Sequence, residues 1–311
     1  MRIVFMGTPD FAVESLRQLV ENQYNVVGVV TMPDKPAGRG YKVHFSPVKE
    51  YATAKNLPLL QPEKLTDEQF LSELKLWNAD LQIVVAFRKL PQAVWAMPAQ
   101  GTFNLHASLL PQYRGAAPIN WAIINGDEQT GCTTFFITHE IDTGKIILQE
   151  KIPILQSDNA GTIHDKLMKT GAQMVCNTVD LIEQNKVNVI EQQHFLQKEE
   201  ELKTAPKIFR QTCCINTDLS VNEVFNFVRG LSPYPGAWAQ ILVKENAEPI
   251  ILKIFETKKI IEKHNFMNGT FVTDNKTFAK IALYDGFLLL KSVQAPDKKR
   301  MTAEEWLRGL R

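Results

Sequence analysis

The chain has 311 residues, of which 44% are hydrophobic and 22% are charged, and its formal net charge is +1. These values are typical of an ordinary globular protein, and they exclude a chain that binds polyanions through its overall charge. The length predicts one large domain or two ordinary ones.

The N-terminal half alternates strand-like and helix-like segments. Residues 3–6 form a continuous apolar run that is typical of a buried parallel strand, and the next segment places its apolar residues on one helical face. Ser46 followed by Pro47 predicts the start of a second helix, and the sequence TDEQ from Thr66 has the form of a capping box. The alternation predicts an α/β fold: a Rossmann-like open, mostly parallel sheet with helices on both faces.

The alternation ends after about residue 186, where a polar, charged segment without periodicity predicts a linker. Residues 220–231 then predict one strong helix with a capping box of Ser220 and Glu223, and the sequence YDG predicts a hairpin turn. The remaining short strand-like runs predict a small OB-like β-barrel. The expected organisation is an N-terminal domain at residues 1–187, a linker at 188–206 and a C-terminal domain at 207–311.

The two halves differ in charge. Residues 207–311 contain 16 Lys and Arg against 11 Asp and Glu, a net charge of +5, whereas residues 1–206 have a net charge of −4. This asymmetry favours a polyanion partner for the C-terminal part. Chance variation of the surface explains the charge alone equally well.

The cysteines and the N-terminus indicate the cellular compartment. The four cysteines form no C-x-x-C pair, so their spacing predicts neither a metal site nor a disulfide framework, which is typical of a reducing compartment. Met1 and Arg2 lead directly into a strand-like run, which does not resemble a signal peptide. No apolar stretch approaches the roughly 20 residues of a membrane span. We therefore expect a cytoplasmic protein without a membrane partner.

The turn after the first strand lacks the pattern of a dinucleotide-binding site. The sequence GTPDF contains one glycine rather than the G-x-G-x-x-G that brings a backbone close to a pyrophosphate. We therefore expect no nicotinamide cofactor and no dehydrogenase activity.

Polar side chains alternate in the sequence NLHASLLPQYRG. Asn104 and His106 share a face if the strand extends that far, and the carboxyl end of a parallel strand is where open α/β sheets bind ligands. An Asn amide can donate to a developing oxyanion, and a His can carry a proton near neutral pH. Asp142, in the sequence IDTG, could orient the His. From the residues alone, a structural His106 and an Asp142 that only forms a turn stay open.

The sequence resembles the methionyl-tRNA formyltransferases over nearly its whole length. The motifs that carry the resemblance are GTPDFA (7–12), PDKPAGRG (33–40), SPVK (46–49), NLHASLLPQYRGAAPINWAI (104–123), GDEQTG (126–131), IDTG (141–144), TAPKI (204–208) and LSPYPGAW (231–238). The resemblance implies transfer of a formyl group from 10-formyltetrahydrofolate to the α-amine of methionyl initiator tRNA. It implies that Asn104 binds the formyl oxygen, that His106 polarises this oxygen or moves a proton, and that Asp142 accepts the amine proton.

The resemblance also implies binding residues. It implies that Ser108, Leu109, Leu110 and Pro111 contact tetrahydrofolate. The folate is a co-substrate, and no metal is expected. The implied tRNA-contacting loop carries Lys35, Arg39 and Lys42. The chain departs from the family at Phe87-Arg88-Lys89, where Tyr-Gly is usual, which puts the shape of the folate pocket there in doubt. A monomer is expected.

Two other classes of protein fit part of this pattern. A nucleotide-sugar formyltransferase or a formyl-folate hydrolase would use the same Asn, His and Asp, but neither gives a reason for the loop PDKPAGRG. A catalytically silent tRNA-binding protein would tolerate changes at these three residues, and their joint presence argues against it.

Overall fold

The computed structural model describes residues 1–37, 42–196, 201–243 and 248–310. The chain folds into two compact units. Unit 1 comprises Met1–Gly115, Thr130–Ile152 and His164–Thr204, and unit 2 comprises Ala116–Gln129, Pro153–Ile163 and Ala205–Arg311. The units are therefore not contiguous in sequence, unlike the expected domains at 1–187 and 207–311, whose boundaries stay a prediction.

The elements follow one another in this order. The strands are β1 (Arg2–Gly7), β2 (Asn25–Val30), β3 (Lys35–Ala37), β4 (Lys42–His44), β5 (Leu59–Leu60), β6 (Leu81–Val85), β7 (Thr102–His106), β8 (Arg114–Gly115), β9 (Gln129–Phe136), β10 (Ile146–Pro153), β11 (Thr204–Ala205), β12 (Ala237–Ile241), β13 (Ile250–Ile261), β14 (Phe271–Thr273), β15 (Ala279–Leu283), β16 (Gly286–Gln294) and β17 (Met301–Thr302). The helices are α1 (Asp10–Glu21), α2 (Pro47–Ala54), α3 (Glu68–Leu76), α4 (Gln92–Trp95), α5 (Pro118–Ile124), α6 (Ala160–Glu183), α7 (Val221–Gly230) and α8 (Ala303–Arg308). Two 3-10 turns span Gln192–Phe195 and Gln211–Cys213.

Unit 1 is built on a seven-stranded sheet in the order β10-β9-β7-β6-β1-β2-β5. The five strands from β7 to β5 are parallel, and β9 runs antiparallel to β7. Ile3 and Phe5 on β1 and Ile83 on β6 are fully buried. The open, mostly parallel sheet predicted from the sequence is confirmed. Its parallel strands end at one common edge, where such sheets bind ligands.

Local capping explains where two of the helices of unit 1 begin. The Ser46 hydroxyl accepts a hydrogen bond from the Lys49 N–H at 3.1 Å, and α2 starts at Pro47, as predicted. For α3 the prediction is wrong by one residue. Asp67, not Thr66, is the N-cap and accepts from the Phe70 N–H at 3.0 Å, because a carboxylate caps at least as well as a hydroxyl.

Unit 2 contains a curved antiparallel sheet in the order β12-β13-β16-β15-β14, with β17 paired to β16. Leu283 pairs with Gly286, so the predicted hairpin turn is confirmed. Helix α7 has the predicted capping box of Ser220 and Glu223 and buries Val224 against the sheet side of the core. The predicted C-terminal β domain is therefore confirmed. In the described part of the chain its sheet forms a half-barrel.

A buried arginine stabilises unit 2, and its replacement gives a first prediction. The guanidinium of Arg229, whose residue is 7% exposed, donates to the carbonyl oxygens of Leu155 and Asp158, both at 3.1 Å. Arg229→Met leaves both carbonyls without this donor, so we expect the free energy of unfolding to fall by about 1–3 kcal/mol. Urea unfolding followed by tryptophan fluorescence measures this.

Arg308→Met is the control, because Arg308 is exposed and its ion pair with Glu304 lies on the surface of α8. An equal loss of stability in the two variants would contradict a specific role for Arg229.

No helix within the described ranges combines the length and the apolar character that crossing a membrane requires.

Candidate active site

Strand β7 carries the first two predicted catalytic residues to the ligand-binding edge of the sheet. Asn104 is in register with Val84 on β6, and His106 is the last residue of β7. Because side chains alternate along a strand, Asn104 and His106 project from the same face. His106 is 7% exposed and Asn104 is half-buried.

The Asn104 amide has no hydrogen-bond partner among the described residues. A half-buried polar group without a partner is unfavourable unless water or a ligand satisfies it. Its two N–H donors are therefore available to a ligand at the end of β7.

The His106 ring is held in one tautomer. Its Nε2 lies 2.9 Å from the carbonyl oxygen of Tyr113, which can only accept, so Nε2 carries the hydrogen. In the neutral ring Nδ1 then has the free lone pair. Nδ1 lies 4.0 Å from Oδ2 of Asp142, which is too long for a direct hydrogen bond and leaves room for a proton-bearing group to interact with both.

Asp142 reaches His106 from the turn between β9 and β10. Its φ is +56°, a left-handed conformation that aspartate tolerates better than most residues. Its Oδ2 accepts a hydrogen bond from the Gly115 N–H at 3.1 Å, and its side chain is 14% exposed. The structure therefore brings His106 and Asp142 together, with Asn104 on the same strand face as His106.

The segment predicted to contact folate forms a largely buried turn. Ser108 is fully buried and donates to the Gln112 carbonyl at 2.7 Å, and Leu110 and Pro111 are buried as well. Leu109 is half-buried. The folate contact of these four residues stays a prediction.

The loop predicted to contact tRNA is a hairpin of β3 and β4. Lys35 pairs with His44 and Lys42 with Ala37, whereas Arg39 lies outside the described residues. The contacts of all three predicted tRNA-binding residues therefore stay predictions.

Asp34 and Lys49 form an ion pair at the base of this hairpin. The hydrogen bond from Lys49, followed by that from Gln61, lowers the pKa of the Asp34 carboxyl. Gln61 donates to Asp34 and to the Met32 carbonyl, both at 2.9 Å. The charge of Lys49 is thus compensated within unit 1.

Arg88, which belongs to the segment that departs from the family pattern, donates to backbone carbonyls. Its guanidinium donates to the carbonyl of Glu63 at 2.7 Å and to that of Pro62, and burial lowers its pKa. Its Nε is buried and has no hydrogen-bond partner in the described ranges. The arginine therefore braces the loop between β5 and α3.

Sequence reasoning missed two residues beside Asp142. Gln192 is 4% exposed, donates to the carbonyl of Asp142 and accepts from Arg114. Arg114 belongs to a motif already recognised in the sequence. Gln192 has no local signal, because it lies in the polar segment interpreted as a linker.

The described residues contain no group of three or more His, Cys, Asp or Glu side chains that could hold a metal ion. An amide donor and a His–carboxylate pair at the ligand edge of an open sheet suit transfer of an acyl group. Comparison with known families agrees: the model described as "Formyl transferase" matches residues 1–179, and "Formyl transferase, C-terminal domain" matches residues 207–311. The chain belongs to the formyl transferase family.

One named relative shows which member of the formyl transferase family this chain is similar to. A protein of Bacteroides thetaiotaomicron named methionyl-tRNA formyltransferase is 60% identical over 311 residues, which are 100% of this chain and 96% of that protein. The resemblance found in the sequence is confirmed, and so is the prediction of an enzyme that transfers a formyl group.

Solved structures support the fold. WlaRD, a sugar 3N-formyl transferase, superposes with a TM-score of 0.63 at 20% identity over 96% of this chain and 99% of WlaRD. A variant of HypX from Aquifex aeolicus superposes with a TM-score of 0.64 at 17% identity over 100% of this chain. The chain spans about half of HypX, 47% of its length.

Proposed function

We propose that this chain transfers the formyl group of 10-formyltetrahydrofolate to the α-amine of methionyl initiator tRNA, with Asn104, His106 and Asp142 as catalytic residues. The observation that carries the assignment of residues is the 4.0 Å separation of His106 Nδ1 and Asp142 Oδ2. The Asn104 amide lies on the face of β7 that carries His106 and has no hydrogen-bond partner among the described residues. The named relative supports the acceptor. The family supports formyl transfer, for which a folate is the donor.

Asn104 acts on the formyl oxygen. When the amine attacks, the formyl carbon becomes tetrahedral and its oxygen gains negative charge. A preorganised N–H donor stabilises this charge more than it stabilises the ground-state carbonyl. The Asn104 amide suits this role because, within the described ranges, it gives up no hydrogen bond to the protein when it binds the formyl oxygen.

Asp142 and His106 move the proton. The α-amine must be neutral to attack, so a base has to accept its proton as the new C–N bond forms. Asp142 accepts this proton, directly or through water, and the proton reaches N10 of the folate as the bond from the formyl carbon to N10 breaks. Because His106 Nε2 donates to the Tyr113 carbonyl, Nδ1 is the ring nitrogen that faces Asp142, which favours proton transfer over polarisation of the formyl oxygen.

The reaction is tested by incubating the purified protein with 10-formyltetrahydrofolate and with methionyl-tRNA of the initiator or the elongator type. Hydrolysis of the ester then releases the amino acid for identification. We expect formylmethionine from the initiator only. Formate release without formylmethionine, or formylation of an amino sugar nucleotide instead, would contradict the proposed acceptor.

The proposed substrates indicate the cellular location of the reaction. A product used in translation initiation and a donor from one-carbon metabolism support a cytoplasmic location, with tetrahydrofolate leaving after each turnover. The monomeric state stays a prediction, which light scattering of the purified protein tests.

The hairpin loop gives a second prediction. Arg39→Ala removes one cation from the predicted acceptor-stem contact, so we expect a higher KM for methionyl-tRNA and a salt dependence of log KM that is shallower by about one unit. The KM for the folate stays unchanged. Measurement of both KM values between low and moderate salt checks this.

Lys75→Ala on the exposed surface of α3 is the control for Arg39→Ala. If the Arg39 variant keeps the wild-type KM for tRNA and the wild-type salt dependence, the loop does not bind the acceptor stem.

A further inference from the structure

Gln192 lies in the 3-10 turn Gln192–Phe195, far in sequence from the catalytic residues, yet its side chain is buried in unit 1. Its Nε2 donates to the carbonyl oxygens of Asp142 and Gly144, each at 2.9 Å. Both donors of one amide are therefore used on the turn that carries the catalytic carboxylate.

Arg114 fixes the orientation of this amide. Its Nε and Nη2 approach Oε1 of Gln192 at 3.1 and 2.5 Å. A guanidinium only donates and a carbonyl only accepts, so a flipped Gln192 would oppose donors to donors and acceptors to acceptors. The contacts therefore determine which end of the amide faces Asp142.

These contacts close a ring around Asp142. Gly115, next to Arg114 in the chain, donates its N–H to Asp142 Oδ2 at 3.1 Å, while Gln192 holds the Asp142 carbonyl. Gly115 thus holds the carboxylate of Asp142, and Gln192 holds its backbone carbonyl.

Hydrogen bonds and packing from neighbouring segments hold the turn that carries Asp142. Asp142 has a φ of +56°, which aspartate adopts more readily than most residues but which still costs free energy relative to a right-handed conformation. A Cβ on Gly144 would lie 1.7 Å from the Phe136 carbonyl oxygen, so the turn packs directly against the end of β9. Gln192 holds the backbone of the same turn through its two hydrogen bonds.

We propose that Gln192 is a positioning residue that sets the place of Asp142 relative to His106, and that Arg114 keeps the Gln192 amide in the required orientation. This inference rests on the proposed function, since it needs Asp142 as the proton acceptor. Gln192 itself does not contact the reacting atoms. Its loss displaces the carboxylate from the position 4.0 Å from His106 Nδ1.

A double-mutant cycle tests this inference. Single-turnover rates of formyl transfer are measured at saturating substrates for the wild type, Gln192→Met, Asp142→Asn and the double variant. We expect Gln192→Met, which keeps the side-chain length but makes none of these hydrogen bonds, to lower the rate roughly 10²-fold with both KM values unchanged. In the Asp142→Asn background the same change should alter the rate less than about 3-fold, because a residue that acts through Asp142 has nothing left to position.

Gln193→Met is the matched control, because Gln193 neighbours Gln192 on the same 3-10 turn and is exposed. It should keep the wild-type rate. Thermal unfolding of each variant confirms that it is folded. If Gln192→Met does not fold, Gln192→Glu takes its place, since its carboxylate still accepts from Arg114 but cannot donate to the two carbonyls.

The outcomes separate the two proposals. An equal loss of rate in both backgrounds would mean a general structural role for Gln192 and would overturn the positioning role. A wild-type rate for Gln192→Met beside a slow Asp142→Asn would overturn the positioning role alone. A wild-type rate for Asp142→Asn would overturn the role of Asp142 in the proposed function, and with it the inference that depends on it.

Discussion

Asn104→Ala should lower kcat by about 10²-fold or more and leave the protein folded, because one preorganised oxyanion donor contributes roughly 2.7–4 kcal/mol to the barrier. The amide has no partner among the described residues, so its removal breaks no internal hydrogen bond. The KM values should change little, since the interaction strengthens only as charge develops on the formyl oxygen. Steady-state kinetics with both substrates, together with thermal unfolding, measures this.

Asn104→Asp is the control for size. It keeps the shape of the side chain and replaces the donor by a carboxylate, so we expect a loss at least as large as that of the alanine variant. If the aspartate variant retained wild-type turnover, hydrogen-bond donation would not be the role of Asn104.

Asp142→Asn should lower kcat by about 10²- to 10⁴-fold, because the amide cannot accept the proton of the attacking amine. The Gly115 N–H can still donate to the remaining carbonyl oxygen, so the geometry of the turn is kept and the change isolates the proton-accepting role. Rapid-quench measurement of formyl transfer at saturating substrates gives the chemical step.

Glu140→Gln is the control for charge, since Glu140 lies in the same turn with an exposed side chain. We expect its kcat to equal that of the wild type. Comparable losses in the two variants would indicate an effect of overall negative charge, and turnover above one tenth of the wild-type value in Asp142→Asn would remove Asp142 as the base.

Elements with local signals could be predicted from the sequence. The apolar run of β1 and the Ser46 and Ser220 caps fixed a strand and two helix starts within a residue. The alternation of Asn104 and His106 predicted their common face, because both lie within one strand. The residues alone left open whether Asp142 orients His106 or only forms a turn, and the resemblance then favoured a catalytic role.

Contacts between distant segments could not be predicted. Gln192 lies 50 residues from Asp142 and 78 from Arg114, and no periodicity connects them. The same limit explains the discontinuous units: segments 116–129 and 153–163 belong to unit 2 through long-range packing that composition does not indicate. At α3 the one-residue error arose because Thr66 and Asp67 are both good caps, and only the geometry of the preceding loop chooses between them.

The ion pair of Asp34 and Lys49 has a consequence for how this protein can diverge. Together with Gln61, it ties the residue that precedes β3 to the first turn of α2, so the base of the hairpin is held by residues outside the connection between β3 and β4. Lengthening a closed loop costs little, because the entropy of closure grows only with the logarithm of its length. A change in the length of the connection between β3 and β4 therefore costs little free energy of folding. If the loop binds the acceptor stem as proposed, recognition of a changed stem can evolve independently of the chemistry at β7.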